Sequence, residues 1–348
     1  MTMSKTIISD AKPELLEDGW EIGELCDAGL DPEIIGSLVQ AIETDDHPDF
    51  HSLLIARHGR LVFDSYFHGY NSTHLHDIRS AGKSFTSTLI GIALDHDAIP
   101  DIETPISTFF KKYEPYENFD ARKEAITVRD LLMMMSGLDA DDNDASSPGY
   151  EDNMLKADDW FKFGLDLPMR EEPGQRWVYA GANTFLLARI LEISTNRSLL
   201  DFAIPYLFEP LGIESFLWQT SPQGVPAGQG FLSVCSRDML KLGQLFLDGG
   251  SWQGRRIVSK KWTEAATKLQ VKLPNESTAG YGYQWWMPVG ATPGQFMGRG
   301  IYGQYLYIDK GANVVIVTTG ADKLFREPGV TAANVEMFRQ IVAASEGQ

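Results

Sequence analysis

The chain has 348 residues, 30 basic against 48 acidic side chains, and a formal charge of −18. That length can bury a core in one large domain or two, and the acidic balance argues against nucleic acid or an anionic membrane surface as partner. Two cysteines, Cys26 and Cys235, suggest no disulfide framework. The opening ten residues lack a signal peptide's apolar core, and no run reaches membrane-spanning length, so the expectation is a soluble cytoplasmic protein whose charge serves solubility or a salty habitat.

The first element in chain order is a helix opened by Asp31-Pro32-Glu33, with Asp31 as cap, Pro32 in the first position and Ile34, Leu38 and Ile42 on one face. Two strand-like runs follow, 52–57 and 60–66, separated only by His58-Gly59, which is a hairpin signal. The stretch from Ser80 to Leu94 comes next and reads as a helix, because Phe85, Leu89, Ile92 and Ala93 recur at three- and four-residue intervals. From Ile99 to about Ser233 the chain reads as helical and loop-rich. It includes Ile126–Gly137, a very acidic loop at 139–144, and a helical run from Asn183 to Ile193. A further helix begins at a Ser236 cap and ends at Asp248-Gly249-Gly250. Strand character returns in 282–287, 295–297, 303–308 and 313–318, and a helix closes the chain from Ala332 to Ala344. Strands at both ends with helices between them predict one sheet built from the two termini. The implied division is a sheet domain of residues 14–98 and 234–348, a helical lobe of 99–233, and an active site between them.

Ser80 and Lys83 sit three residues apart at the polar front of an apolar helix, where i and i+3 side chains are neighbours. A hydroxyl beside an amine is a nucleophile with a built-in base. Burial, or the positive end of the helix dipole, lowers a lysine pKa and frees the amine to take the hydroxyl proton. Ser9-Asp10-Ala11-Lys12 repeats the spacing but runs into Pro13 with no apolar helix behind it, so it reads as a disordered tail. Gly82-Lys83-Ser84 ends like a phosphate-binding loop, yet position 77, where that loop needs glycine, is Asp. The bland alternative is an ordinary helix start with Ser80 as its cap. His74 and His76 have a metal-like spacing without a recognisable partner and read as loop and surface residues; no metal or cofactor is expected. No Gly-x-Ser-x-Gly elbow exists, which disfavours the α/β-hydrolase fold. Trp285 and Trp286 read as strand residues split between core and surface, one lining an acyl pocket.

Three separated stretches together resemble the serine hydrolase superfamily of class C β-lactamases, penicillin-binding proteins and related carboxylesterases. They are Ser80-Ala-Gly-Lys83, the Trp177-Val-Tyr179-Ala-Gly181-Ala-Asn183 element with its trailing leucines, and Gly298-Arg299-Gly300-Ile301. The resemblance runs from about residue 50 to 320. It implies a mainly antiparallel α/β (α+β) sheet flanked by helices with an inserted helical lobe. It also implies a covalent acyl-enzyme on Ser80, Lys83 and Tyr179 as proton-handling partners, and an oxyanion hole from the backbone N–H groups of Ser80 and Ile301. Small Gly300 would let that strand come close, and Asn183, Arg299 and Gly300 are candidate substrate contacts. Two departures stand out: Gly181 aligns with the family's Asn, with Asn183 two residues later, and Gly298 replaces the basic residue that holds a β-lactam or peptide carboxylate. That loss resembles the esterase branch and relatives that cleave linear 6-aminohexanoate amides. The expected function is hydrolysis of small-molecule, short-chain carboxylic esters. Linear amide or weak β-lactam hydrolysis is the alternative, and a non-catalytic binding or sensor protein is the alternative of another class. The acyl and leaving groups and the oligomeric state are left open.

Overall fold

The computed structural model describes residues 12–44, 49–273, 278–327 and 329–343; Ser9 of the second Ser-x-x-Lys match lies outside them. Fourteen strands occur in chain order among these residues. They are β1 (Glu21–Ile22), β2 (Phe50–Arg57), β3 (Arg60–Tyr66), β4 (His76–Asp77), β5 (Phe216–Trp218), β6 (Leu232–Val234), β7 (Ser251–Trp252), β8 (Arg255–Arg256), β9 (Val271–Lys272), β10 (Thr278–Tyr281), β11 (Trp286–Pro288), β12 (Gln295–Gly300), β13 (Gln304–Asp309) and β14 (Val314–Gly320). The main sheet has the order β1-β3-β2-β14-β13-β12-β11-β10-β9. Every pairing in it is antiparallel except β1 with β3.

The two ends of the chain meet where β2 pairs with β14, Leu54 opposite Val317 and Ile55 opposite Ile316. Both strands are near-continuous apolar runs because both sheet faces are covered. With a side-chain period of two, Leu54, Ala56, Val315 and Val317 enter one core, while Leu53, Ile55, Val314 and Ile316 enter the other. The first core takes helix α2 (Gly82–Asp95) and the Ser236–Leu247 helix; the second takes α1 (Pro32–Glu43) and the Val330–Ala343 helix. The result is helix, sheet, helix in three layers. The hairpin between β2 and β3 turns on His58 and Gly59, both with positive φ, as a tight two-residue turn requires.

The Asp31 cap stands as the sequence predicts, and other expectations shift in detail. The α1 cap is Asp31, which accepts the Glu33 N–H at 2.8 Å, a bond worth about 1 kcal/mol. The buried stripe of that helix is Ile35, Val39 and Ile42, with Ile34 and Leu38 only half-buried. Residues 282–285 form the turn between β10 and β11 rather than a strand, because Gln284 adopts a positive φ. Cys235, not Ser236, caps the Ser236–Leu247 helix; the Ser236 hydroxyl instead bonds Ser52 at 2.9 Å.

Helix α2 is buried on every side from Gly82 to Ala93, which explains its low amphipathicity. Its polar residues are spent on anchoring two crossing segments. Ser84 and Ser87 donate to the carbonyls of Gln284 and Tyr283 at 2.9 and 2.7 Å, and Thr86 donates to Gly228 at 2.6 Å. The Ala227–Gly230 segment is pinned from its other side by the Trp218 indole N–H, which donates to Ala227 and Gly230. A three-stranded sheet, β4-β6-β5, leads into the helix, and Ile78 N–H bonds the Leu232 carbonyl at 2.9 Å.

Candidate active site

Ser80 lies in a 3-10 turn, Arg79–Ala81, immediately before α2. The tighter turn still leaves Lys83 beside it: Lys83 Nζ donates to Ser80 Oγ at 3.1 Å and to the Gln229 carbonyl at 2.6 Å. Lys83 is 2% exposed. Its amine also lies over the Tyr179 ring, 5.0 Å from the centroid. Lys83 therefore neighbours both Ser80 and Tyr179, and those two line one cleft.

The charge state of Lys83 reverses the expectation from sequence. Burial alone would drive the proton off, but Tyr179, Glu151 and Asp142 outweigh it, and the amine holds its proton more tightly than free lysine. The three opposing groups come from segments distant in sequence, so a helical spacing of two residues contained no sign of them.

A cleft of about 1090 Å³ opens over Ser80. Its walls include Arg79, Tyr179, Trp286, Arg299, Ile301 and Tyr302, with Asp142 and Glu151 on the side of the acidic loop. Trp177, Tyr179 and Trp286 form one aromatic wall backed by buried Tyr281, with Tyr179 and Trp286 centroids 5.3 Å apart and Tyr281 and Trp286 4.8 Å apart. Trp285 is fully buried, so Trp286 is the tryptophan of that pair that faces the cleft.

The close approach of β12 to the Ser80 turn depends on Gly300. A Cβ there would stand 2.3 Å from the Ile78 carbonyl oxygen and 2.9 Å from Arg79 Cβ, distances that no side chain tolerates. Ile301 follows in the turn after β12 and lines the same cleft as Ser80. Gly298 faces α2, its absent Cβ 3.3 Å from Ser84 Oγ, whereas Arg299 lines the cleft with its guanidinium 5.6 Å from the Trp286 ring centroid. Asn183 is placed elsewhere: it is 2% exposed and directs Nδ2 at Met134 Sδ, 3.5 Å away, and it is absent from the cleft lining.

Sequence reasoning passed over Arg79 and the two carboxylates. Arg79 has φ +51°, its N–H donates to Asp77 Oδ1 at 2.8 Å, and its guanidinium lies over Tyr302 and Phe231, both also left-handed. Three non-glycine residues in that conformation around one serine fit the pattern of backbone strain held at functional sites. Asp142 accepts the Gly181 N–H at 2.6 Å, at the start of the Gly181–Thr195 helix. Burial, then the Glu151 carboxylate, pushes Asp142 up to about 7. The available sequence signal was Gly181 itself, a missing side chain in a crowded motif.

His76 is no loop residue. It stands in β4, its Nε2 2.8 Å from His51 Nδ1, with Tyr70 stacked on His51 at 3.9 Å. Among the described residues no group of three or more His, Cys, Asp or Glu is arranged to hold a metal, and no helix is long and apolar enough to cross a membrane.

A mainly antiparallel sheet between helical layers, with the Ser-x-x-Lys turn at the head of a buried helix, is the β-lactamase/transpeptidase-like fold of the serine hydrolase superfamily. The Beta-lactamase family profile matches residues 51–328, and the chain belongs to that family as a hydrolase of that fold. It is 26% identical to the 6-aminohexanoate-dimer hydrolase of Paenarthrobacter ureafaciens over 76% of this chain and 71% of that one. Among solved structures it resembles EstCE1, a hydrolase with promiscuous acyltransferase activity, with TM-score 0.73, 18% identity and coverage of 93% and 100%. It also resembles the D-amino acid amidase of Ochrobactrum anthropi SV3, with TM-score 0.65, 20% identity and coverage of 88% and 98%. At those identities the two structures speak for the fold alone.

Proposed function

We propose that the protein is a serine hydrolase that works through a covalent ester on Ser80, with short-chain carboxylic esters as first substrate class. The single observation that carries this reading is the buried Lys83 amine 3.1 Å from Ser80 Oγ at the floor of an open cleft. Ser80 Oγ attacks the acyl carbon while its proton enters the adjacent Lys83–Tyr179 pair. The same pair returns a proton to the departing alkoxide, and water then repeats the sequence to release the acid and restore Ser80. The backbone N–H groups of Ser80 and Ile301 are the donors for the developing oxyanion, where paired donors stabilise charge most effectively. The division into a sheet domain and a helical lobe belongs to the same proposal, with Tyr179 coming from the lobe and Ser80 from the sheet side. Small-molecule substrates, no cofactor and a cytoplasmic location complete it.

Linear amides are the second reading. The cleft exceeds what a short-chain ester fills, its aromatic wall suits an extended chain, and the similarity to a 6-aminohexanoate-dimer hydrolase spans most of both chains. The test is covalent trapping. A fluorophosphonate probe should add to the peptide containing Ser80, read by mass spectrometry, and Ser80→Ala should abolish both the adduct and p-nitrophenyl butyrate turnover. Turnover retained in Ser80→Ala would sink the assignment and leave the non-catalytic alternative without support as well. An aminohexanoate dimer assayed beside the ester decides between the two substrate classes.

A further inference from the structure

The place left by Gly181 is filled by another group. A Cβ on residue 181 would stand 2.9 Å from Glu151 Oε1 and 3.4 Å from Asp142 Oδ2, so a side chain here would have to displace the Glu151 carboxylate from the space it now borders. Asp142 is tied to the Tyr179 segment at both ends. Its own N–H donates to the Tyr179 carbonyl at 2.9 Å, and its carboxylate takes the Gly181 N–H at 2.6 Å and the Glu151 N–H at 3.1 Å. The third wall of this space is Gln229, fully buried, with its Cγ 3.2 Å from the same Cβ position and no protein partner for either carboxamide atom among the described residues. Its backbone carbonyl is the one that receives Lys83. The three side chains nearest the gap left by the missing side chain are therefore all polar residues, Glu151, Gln229 and Asp142, and they are joined through backbone groups to Tyr179 and Lys83.

We propose that Asp142 and Glu151 are positioning residues of the reaction: they clamp the Tyr179 turn and supply the counter-charge that sets the proton inventory of Lys83 and Tyr179. The proposal rests on the reading of Ser80 as the acylated residue. The charged and titratable groups facing Lys83 are Tyr179, Glu151 and Asp142, and those facing Asp142 are Glu151 and Lys83. A buried ammonium without these partners gives up its proton more readily, because only the charged form suffers from desolvation. The acidic pair thus keeps the resting site protonated. The basic form that accepts the Ser80 proton then appears only as pH rises, whichever of the two partners carries the vacancy. Neutralising one carboxylate weakens that hold and lets the basic form appear at lower pH.

The experiment is the pH dependence of kcat/KM for p-nitrophenyl butyrate in wild type, Glu151→Gln, Asp142→Asn, Glu151→Asp and Glu33→Gln. One charge removed within electrostatic reach of a buried amine moves a titration by about 0.5–2 pH units. The acid limb should move down by that amount in Glu151→Gln and Asp142→Asn. It should return towards wild type in Glu151→Asp, which restores the charge, and stay in place in Glu33→Gln, an exposed carboxylate on α1 that controls for net charge. A limb unmoved in both neutral variants overturns the proposal. A raised KM with an unmoved limb would mean that the carboxylates touch substrate instead, and a lowered Tm with an unmoved limb would mean that they only hold the fold. Fluorophosphonate labelling separates the two levels: no Ser80 adduct in wild type removes the underlying reading, while normal labelling with an unmoved limb removes this inference alone.

Discussion

Gly300→Ala adds one methyl group at the point where β12 meets the nucleophile turn. The new Cβ would stand 2.3 Å from the Ile78 carbonyl oxygen and 2.9 Å from Arg79 Cβ. Carbon and carbonyl oxygen approach no closer than about 3.3 Å, so strand and turn must separate by about 1 Å. Neither side yields easily. Ile78 is held by its bond to Leu232 and Arg79 by its bond to Asp77, while β12 is paired along its length with β13. Overpacking of this kind costs about 1–3 kcal/mol of stability. The functional loss should be larger in proportion. Ile301 follows directly, and oxyanion donors act only within about 2.7–3.1 Å of the charge. A displacement of about 1 Å therefore costs about 100-fold in kcat/KM. The assay is p-nitrophenyl butyrate hydrolysis with Tm measured in parallel, on a series of three glycine-to-alanine changes. Gly36, within α1, has open space at its Cβ and should gain about 0.5–1 kcal/mol with activity unchanged. Gly298 meets Ser84 Oγ at 3.3 Å and should show a small loss, with Gly300 far below both. Wild-type kcat/KM in a folded Gly300→Ala variant would refute the reasoning about the oxyanion strand.

Three further outcomes follow from the same geometry. Lys83→Ala should lower kcat/KM on the order of thousands-fold, and Tyr179→Phe, which removes only a hydroxyl, should also be severe. The double variant should be barely worse than either, since groups on one proton path are not additive; a nearly silent Tyr179→Phe would make the tyrosine structural. Nitrocefin should be hydrolysed far more slowly than p-nitrophenyl butyrate, because Gly298 faces Ser84 and offers no cation to a carboxylate; comparable specificity constants would assign that clamp to Arg299. Burial, with His76 and His68 nearby, lowers His51 to about 4 from its ordinary 6.5 despite Asp49. The unfolded chain therefore binds the proton first as pH falls. The contribution of His51 is complete above about pH 6.5 and is lost between 6.5 and 4. For a half-exposed ring screening reduces it to about 1–2 kcal/mol. Urea unfolding of wild type and His51→Gln at pH 7.5 and 4.5 should show the wild type losing that much more on acidification, and equal losses would remove the histidine pair from the acid sensitivity.

What the sequence by itself determined was local or periodic. The near-continuous apolar runs of β2 and β14, the His58-Gly59 turn and the Asp31-Pro32 cap depend on residues within a few positions of one another, and so does the contact of Ser80 with Lys83 one helical turn on. The ordered spacing of three motifs sufficed for the fold because each marks an element that the sheet brings to one cleft. The tertiary structure decided which groups surround the reacting atoms. The phase of α1 was set by what packed on it, the buried stripe settling on Ile35 and Val39 in place of Ile34 and Leu38. Asn183 turned towards Met134, and Arg79 was held left-handed between Phe231 and Tyr302. Above all, Asp142 and Glu151 came together beside Gly181 and act electrostatically on Lys83. A lysine's proton affinity depends on every charge within a few ångströms, and those charges reach it from loops dozens of residues away. No pattern of neighbours along the chain encodes a sum taken over neighbours in space.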